Sequence, residues 1–84
     1  MVKTEQLQVV TAEVSAILRK ERERQNLSMS QVAERAGLSQ QMVSYMEREM
    51  RNPTLESLLR VTAALKVSLS EVISAAERKA HKRT

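Results

Sequence analysis

The sequence predicts an all-α fold built from five helices. Three observations carry that reading. Apolar residues recur at spacings of three and four along most of the chain, the period of a helix with one buried face. One glycine and one proline occur in 84 residues, so little interrupts helical backbone. Ala, Glu, Lys, Arg, Leu and Gln are abundant, and these favour helix; the β-branched residues are scattered without the alternation of a strand. The length suits a single domain over residues 1–84, and a hydrophobic content of 42% suits a folded chain.

The first helix is expected from Thr4 to Gln25, with Leu7, Val10, Val14, Ile17 and Leu18 on its apolar stripe and a densely charged end, Arg19 to Arg24. Asn26 sits where a residue tolerating positive φ would close it. Ser28 reads as the N-cap of a short second helix, Met29 to Ala36, which turns Val32, Ala33 and Ala36 inward. Gly37 stops it; a glycine used once is expected where φ must be positive. Ser39 caps a third helix, Gln40 to about Arg48, and Met50-Arg51-Asn52-Pro53 follows as a loop. Thr54 caps a fourth, Leu55 to Leu65, with Leu55, Leu58, Val61, Thr62 and Leu65 inward. Ser68 opens a fifth, with Glu71 in the capping-box position and Leu69, Val72, Ile73 and Ala76 as its stripe. The basic end, Arg78 to Thr84, is expected to fray.

The segment Met29 to Arg48 is the informative one. Two short helices joined by Gly37-Leu38-Ser39 make a helix-turn-helix. Ala33 stands where the helices cross, and Val43 and Met46 bury the second against the first. An advance of about 100° per residue puts Gln40, Gln41, Ser44, Tyr45 and Arg48 in one arc of roughly 140°. Met42, Val43, Met46 and Met50 fall in the opposite half and read as packing residues. The polar arc carries amide, hydroxyl and guanidinium groups, which suit base edges and phosphates. Gln40 and Gln41, at the helix start, read as base contacts. Ser44 and Tyr45, one turn on, can bond a base, touch a thymine methyl or reach a phosphate; Tyr45, the sole aromatic, can equally be a packing residue.

With these residues in place, the chain resembles a family. Leu27-Ser28-x-x-x-Val32-Ala33-x-x-Ala36-Gly37-Leu38-Ser39-x-x-x-Val43-Ser44-x-Met46-Glu47-Arg48 is similar to the helix-turn-helix of phage repressor/Cro type regulators, the XRE family. The likeness continues through Arg51-Asn52-Pro53-Thr54-Leu55-Glu56 and Ala64-Leu65-Lys66-Val67-Ser68-Leu69, and covers roughly Leu18 to Ile73. It implies a five-helix, lambda-repressor-like DNA-binding domain, here with an extended N-terminal helix over residues 1–14 and a basic tail over 78–84. It implies operator binding, usually by a dimer. It implies phosphate contacts from the backbone N–H groups of Ser28 and Met29 and from the loop after the third helix, where Arg48, Arg51 and Asn52 carry donors. It also implies a buried ion pair between Arg22 and Glu47 that fixes the third helix. Two positions depart from the family pattern: Met29 stands where Gln is usual, and Glu49 where Gly is usual.

A net charge of +4 suits a polyanionic partner. The absence of cysteine excludes disulfides, thiol catalysis and cysteine metal sites. The single histidine, His81, has no ligand partner near it in sequence, so no metal, cofactor or catalytic role is expected. No apolar run approaches the ~18 residues of a membrane span, and the first residues lack the apolar core of a signal peptide. A cytoplasmic protein of bacterial or phage origin, nucleoid-associated when bound, is expected. The expected function is a sequence-specific regulator of transcription that binds double-stranded DNA. It acts as a dimeric repressor reading a palindromic operator through its third helix, with Leu69, Val72, Ile73 and Ala76 as the dimer interface. The alternative is an antitoxin or anti-repressor that uses the same fold to bind a protein; a weaker one is a membrane-surface module through the first helix. Salt-sensitive binding to a palindromic duplex separates the first reading from the second.

Overall fold

The computed structural model describes residues 4–48 and 53–83. Over these the backbone forms five helices: α1 Thr4–Arg24, α2 Met29–Ala36, α3 Gln40–Glu47, α4 Leu55–Ala64 and α5 Leu69–Arg83. There is no strand among the described residues. Glu49, Met50, Arg51 and Asn52 lie outside them.

Three of the four connections are built the same way. Asn26, Gly37 and Lys66 adopt left-handed backbone, with φ of 58°, 71° and 59°. The next residue in each case is apolar and sends its N–H back to the last turn of the helix just ended. Leu27 donates to the Arg22 carbonyl, Leu38 to that of Ala33 and Val67 to that of Thr62. Leu27, Leu38 and Val67 also pack against the core, so each reversal is closed by a hydrogen bond and an apolar contact together. A serine follows each time. Ser28 and Ser39 accept from Gln31 and Met42 at 3.0 and 3.1 Å, and Ser68 accepts from the Glu71 N–H at 3.4 Å. Thr54 caps α4 in the same manner, accepting from Ser57 at 3.0 Å.

The core draws on every helix. Val14 and Leu18 come from α1, Val32, Ala33 and Ala36 from α2, Val43 and Met46 from α3, Val61 and Ala64 from α4 with Leu65 at its cap, and Val72 and Ala76 from α5. Leu18, Leu65, Val32 and Val43 are its most enclosed members, and burial of each stabilises by about 1.5–3 kcal/mol. α1 and α5 lie antiparallel: Gln6 and Val10 line a cleft with Glu77, Ala80 and His81, and Ile17, Leu18 and Glu21 line another with Val67, Ser68 and Val72. α2 packs on both α3 and α4.

Four expectations need correction. α5 does not fray at Arg78: its helix runs to Arg83, because Ala80 continues the Val72–Ala76 stripe at a spacing of four and is 6% exposed. The stripe assigned to a second copy is mostly used within the chain. Val72 and Ala76 are buried in its own core and Ile73 packs against it, which leaves Leu69 half-buried. Leu55 is 66% exposed, because Ser57, Val61, Ala64 and Leu65 centre the buried face of α4. Met42 is 43% exposed, because the buried face of α3 centres on Val43, Met46 and Glu47, and Met42 falls at its edge.

Candidate nucleic-acid interface

The orientation of α3 is fixed from behind by one ion pair. Arg22 of α1 donates through Nε to Glu47 Oε2 at 2.7 Å and through Nη2 to Oε1 at 2.9 Å. Its third group, Nη1, donates to the Leu27 carbonyl at 2.8 Å. The two side chains are 12% and 5% exposed. A planar guanidinium thus joins α1, the α1–α2 junction and the end of α3. The bond to Glu47 raises the Arg22 pKa above its ordinary value, so the guanidinium stays charged.

With Val43, Met46 and Glu47 turned inward, the opposite side of α3 faces solvent. Gln40 and Gln41 are exposed, and Ser44 and Tyr45 are half-buried. Gln41 Nε2 donates to the Tyr45 hydroxyl at 2.9 Å, and the Arg48 guanidinium carbon lies 5.9 Å from the Tyr45 ring centroid. Gln41, Tyr45 and Arg48 therefore form one connected row along the helix. Having accepted from Gln41, the tyrosine keeps its own hydrogen to give, and the Gln41 carbonyl oxygen remains an acceptor. Amide, phenol and guanidinium groups in one row can address both base edges and phosphate oxygens.

The residues assigned to phosphate fare differently. The Ser28 N–H is already engaged: it donates to Gln31 Oε1 at 2.8 Å, one half of a capping box. The Met29 side chain packs against the core, so its backbone N–H is what it can offer. Arg48 is exposed at the end of α3. Arg51 and Asn52 lie outside the described residues.

Two polar ties escaped the sequence reading. Arg60 Nη1 donates to the Ala36 carbonyl at 3.2 Å, holding α4 to the turn of the helix-turn-helix. A Cβ on Gly37 would come within 3.1 Å of the same nitrogen, which adds a steric demand to the positive φ there. Gln25 Nε2 donates to the Leu65 carbonyl at 2.7 Å and to Glu21 at 2.8 Å. Neither tie leaves a signal in the periodicity. The capping box did: Ser28-x-x-Gln31 is legible as such. Among the described residues no group of metal-ligating side chains comes together, and no helix is long and apolar enough to cross a membrane.

The family model described as helix-turn-helix matches residues 18–72. An uncharacterized HTH-type transcriptional regulator of Mycobacterium tuberculosis is 40% identical over 53 residues, 63% of this chain; the chain spans 38% of that relative's length. The restriction-modification controller protein C.AhdI from Aeromonas hydrophila superposes with a TM-score of 0.69 at 28% identity, over 75% of this chain and 94% of that one. A mutant of a second controller protein, C.Esp1396I, bound to its highest affinity operator site, superposes with a TM-score of 0.76 at 24% identity, over 86% and 95% of the two chains.

Proposed function

The chain belongs to the helix-turn-helix family, of the phage repressor/Cro type, and from that membership we propose that it regulates transcription by binding a palindromic operator as a homodimer. α3 enters the major groove. Gln40, Gln41, Ser44 and Tyr45 meet base edges, while Arg48, Arg51, Asn52 and the start of α2 meet phosphates. The observation that carries this reading is the outward row of α3, polar along its length and backed by a buried ion pair that fixes its angle. The operator-bound neighbour, a controller protein of the same fold, supports it. So does chain size. An eight-residue helix is about 12 Å long. One such helix occupies one groove, so reading two major grooves about 34 Å apart calls for two copies.

Selection of bound sequences from a random duplex pool, followed by binding titrations in rising salt, tests the reading. A two-fold symmetric site and a steep loss of affinity with salt are expected. Gln40→Ala and Gln41→Ala each relax preference at the contacted base pair, by about 1–3 kcal/mol of discrimination. Arg51→Ala weakens all duplexes alike and lowers the salt slope by about one. Unaltered base preference in both glutamine variants refutes the assignment of α3.

A further inference from the structure

The buried arc of α3 is narrower than its apolar pattern suggests, and one residue changes sides as a result. Val43, Met46 and Glu47 are the buried residues of the helix. Met42 is 43% exposed. Of the four large hydrophobic side chains exposed among the described residues, it alone lies on α3; Leu7, Leu55 and Leu59 sit on α1 and α4. An advance of about 100° per residue divides the outward surface of α3 into three strips. Gln41 and Arg48 run down the middle. Gln40 and Ser44 lie on one side of them, Tyr45 and Met42 on the other. The two flanks differ in chemistry: amide and hydroxyl on the first, an aromatic ring and a thioether on the second. Met42 and Tyr45 are three positions apart and so are neighbours on the helix surface. The 2.9 Å bond from Gln41 to the Tyr45 hydroxyl ties the phenol to the middle strip.

From this arrangement we infer that Met42 is a specificity residue: with the Tyr45 ring beside it, it reads the C5-methyl group of a pyrimidine, which in an ordinary duplex is thymine. A helix with its side chains is about 10–12 Å across, and the major groove is about 12 Å wide. A helix that fills the groove brings both flanks of its first turn against base edges, not the middle strip alone. Gln40, on one flank, has an amide to exchange with an adenine edge. Met42, on the other, has no side-chain donor. Among the groups that base pairs show in the major groove, only the thymine methyl is apolar. An apolar side chain set against any other edge strips water from donors and acceptors and returns nothing. Methionine suits the contact, because its long, unbranched and polarisable chain moulds itself to a small apolar group. The Met42 backbone N–H is already engaged by Ser39 Oγ at 3.1 Å, so the side chain is what the residue offers. The same contact makes binding sensitive to cytosine methylation, since 5-methylcytosine carries its methyl on the same ring carbon.

The inference rests on the reading of α3 as the helix that meets DNA and is tested apart from it. The probe is the duplex selected by the wild-type chain, with each thymine replaced in turn by deoxyuridine, which lacks only the methyl. At one position per half-site the wild-type chain should lose about fourfold in affinity, the worth of one buried methyl group. Met42→Ala should lose nothing there, and Met42→Leu should lose as the wild type does. With cytosine in place of that thymine, methylation at C5 should restore about the same factor to the wild-type chain and none to Met42→Ala. Met42→Ala should keep the helical circular-dichroism spectrum, because the residue is nearly half in water and alanine favours helix. It should also keep the preferences that Gln40→Ala and Gln41→Ala relax. Deoxyuridine losses that match in wild type and Met42→Ala at every position overturn the inference and leave the reading of α3 intact. So does a wild-type chain that feels no deoxyuridine at all. A wild-type chain that selects no sequence overturns both.

Discussion

α3 and α4 are built alike and finished differently. Each is short, each begins at a hydroxyl residue that accepts from the backbone three positions on, and each buries one face in the common core. Their outward faces diverge. α3 presents Gln40, Gln41, Ser44 and Tyr45, already linked in part by a side-chain hydrogen bond. α4 presents Leu55, Leu59 and Ala63 beside one ion pair. A face of unspent donors and acceptors gains most from a partner that returns hydrogen bonds, such as base edges in a groove. A face of methyl groups gains most from a partner that excludes water. The anchoring differs as well. Both helices pack by apolar contacts, but α3 adds a buried charge pair, which is demanding in angle, whereas α4 adds hydrogen bonds to single carbonyls at Ala36 and Leu65.

The largest break in this comparison is expected from Glu47→Ala. It strips Arg22 of its partner in a nearly dry setting and should cost about 3 kcal/mol, read by urea unfolding. DNA affinity should fall more than stability alone accounts for. A loss of affinity no larger than the loss of stability would mean that the pair supports the whole fold rather than α3 in particular. The two caps sharpen the comparison further. Ser39→Ala and Thr54→Ala should each cost about 1 kcal/mol, or roughly 4–8 °C in melting temperature. The first should also blur base preference, and the second should leave it unchanged. Acid gives the smallest effect. Hydrogen bonds from Arg24, and then from Gln25, hold the Glu21 carboxyl below the usual carboxylate range. Its contribution is therefore complete above about pH 4.3 and fades as pH falls through the lower folded value. Gln25 also ties to the Leu65 carbonyl at the end of α4, so stability measured from pH 6 down to 2 should decline less steeply in Glu21→Gln.

Most of the fold was legible because the connections carry strong local chemistry. Helix starts followed from Ser28, Ser39 and Thr54, and two reversals from Asn26 and Gly37, residue types suited to positive φ. Lys66 escaped because lysine has no such tendency. The comparison of Lys66-Val67-Ser68 with Asn26-Leu27-Ser28 and Gly37-Leu38-Ser39 would have found it, since the three junctions share one grammar. Charge misled at the end of α5: Arg and Lys are good helix formers, and the small Ala80 among them was the cue to packing. Periodicity misled at Leu55 and Met42, because it ranks positions by spacing and cannot place the centre of the buried arc. For the site, the polar arc of α3 could be read from composition and angle. The tie from Arg60 to the Ala36 carbonyl could not, because it joins residues 24 apart through a backbone group that every sequence possesses.

Tyr45 is the single aromatic residue in the chain, with no tryptophan or phenylalanine beside it. Its ring lies on the outward side of α3, its hydroxyl tied to Gln41 and its face near Arg48. Ultraviolet emission from the whole chain therefore originates at one address. Occupancy of that helix face can be followed by the brightness of native, unlabelled protein, with no background from the interior to subtract.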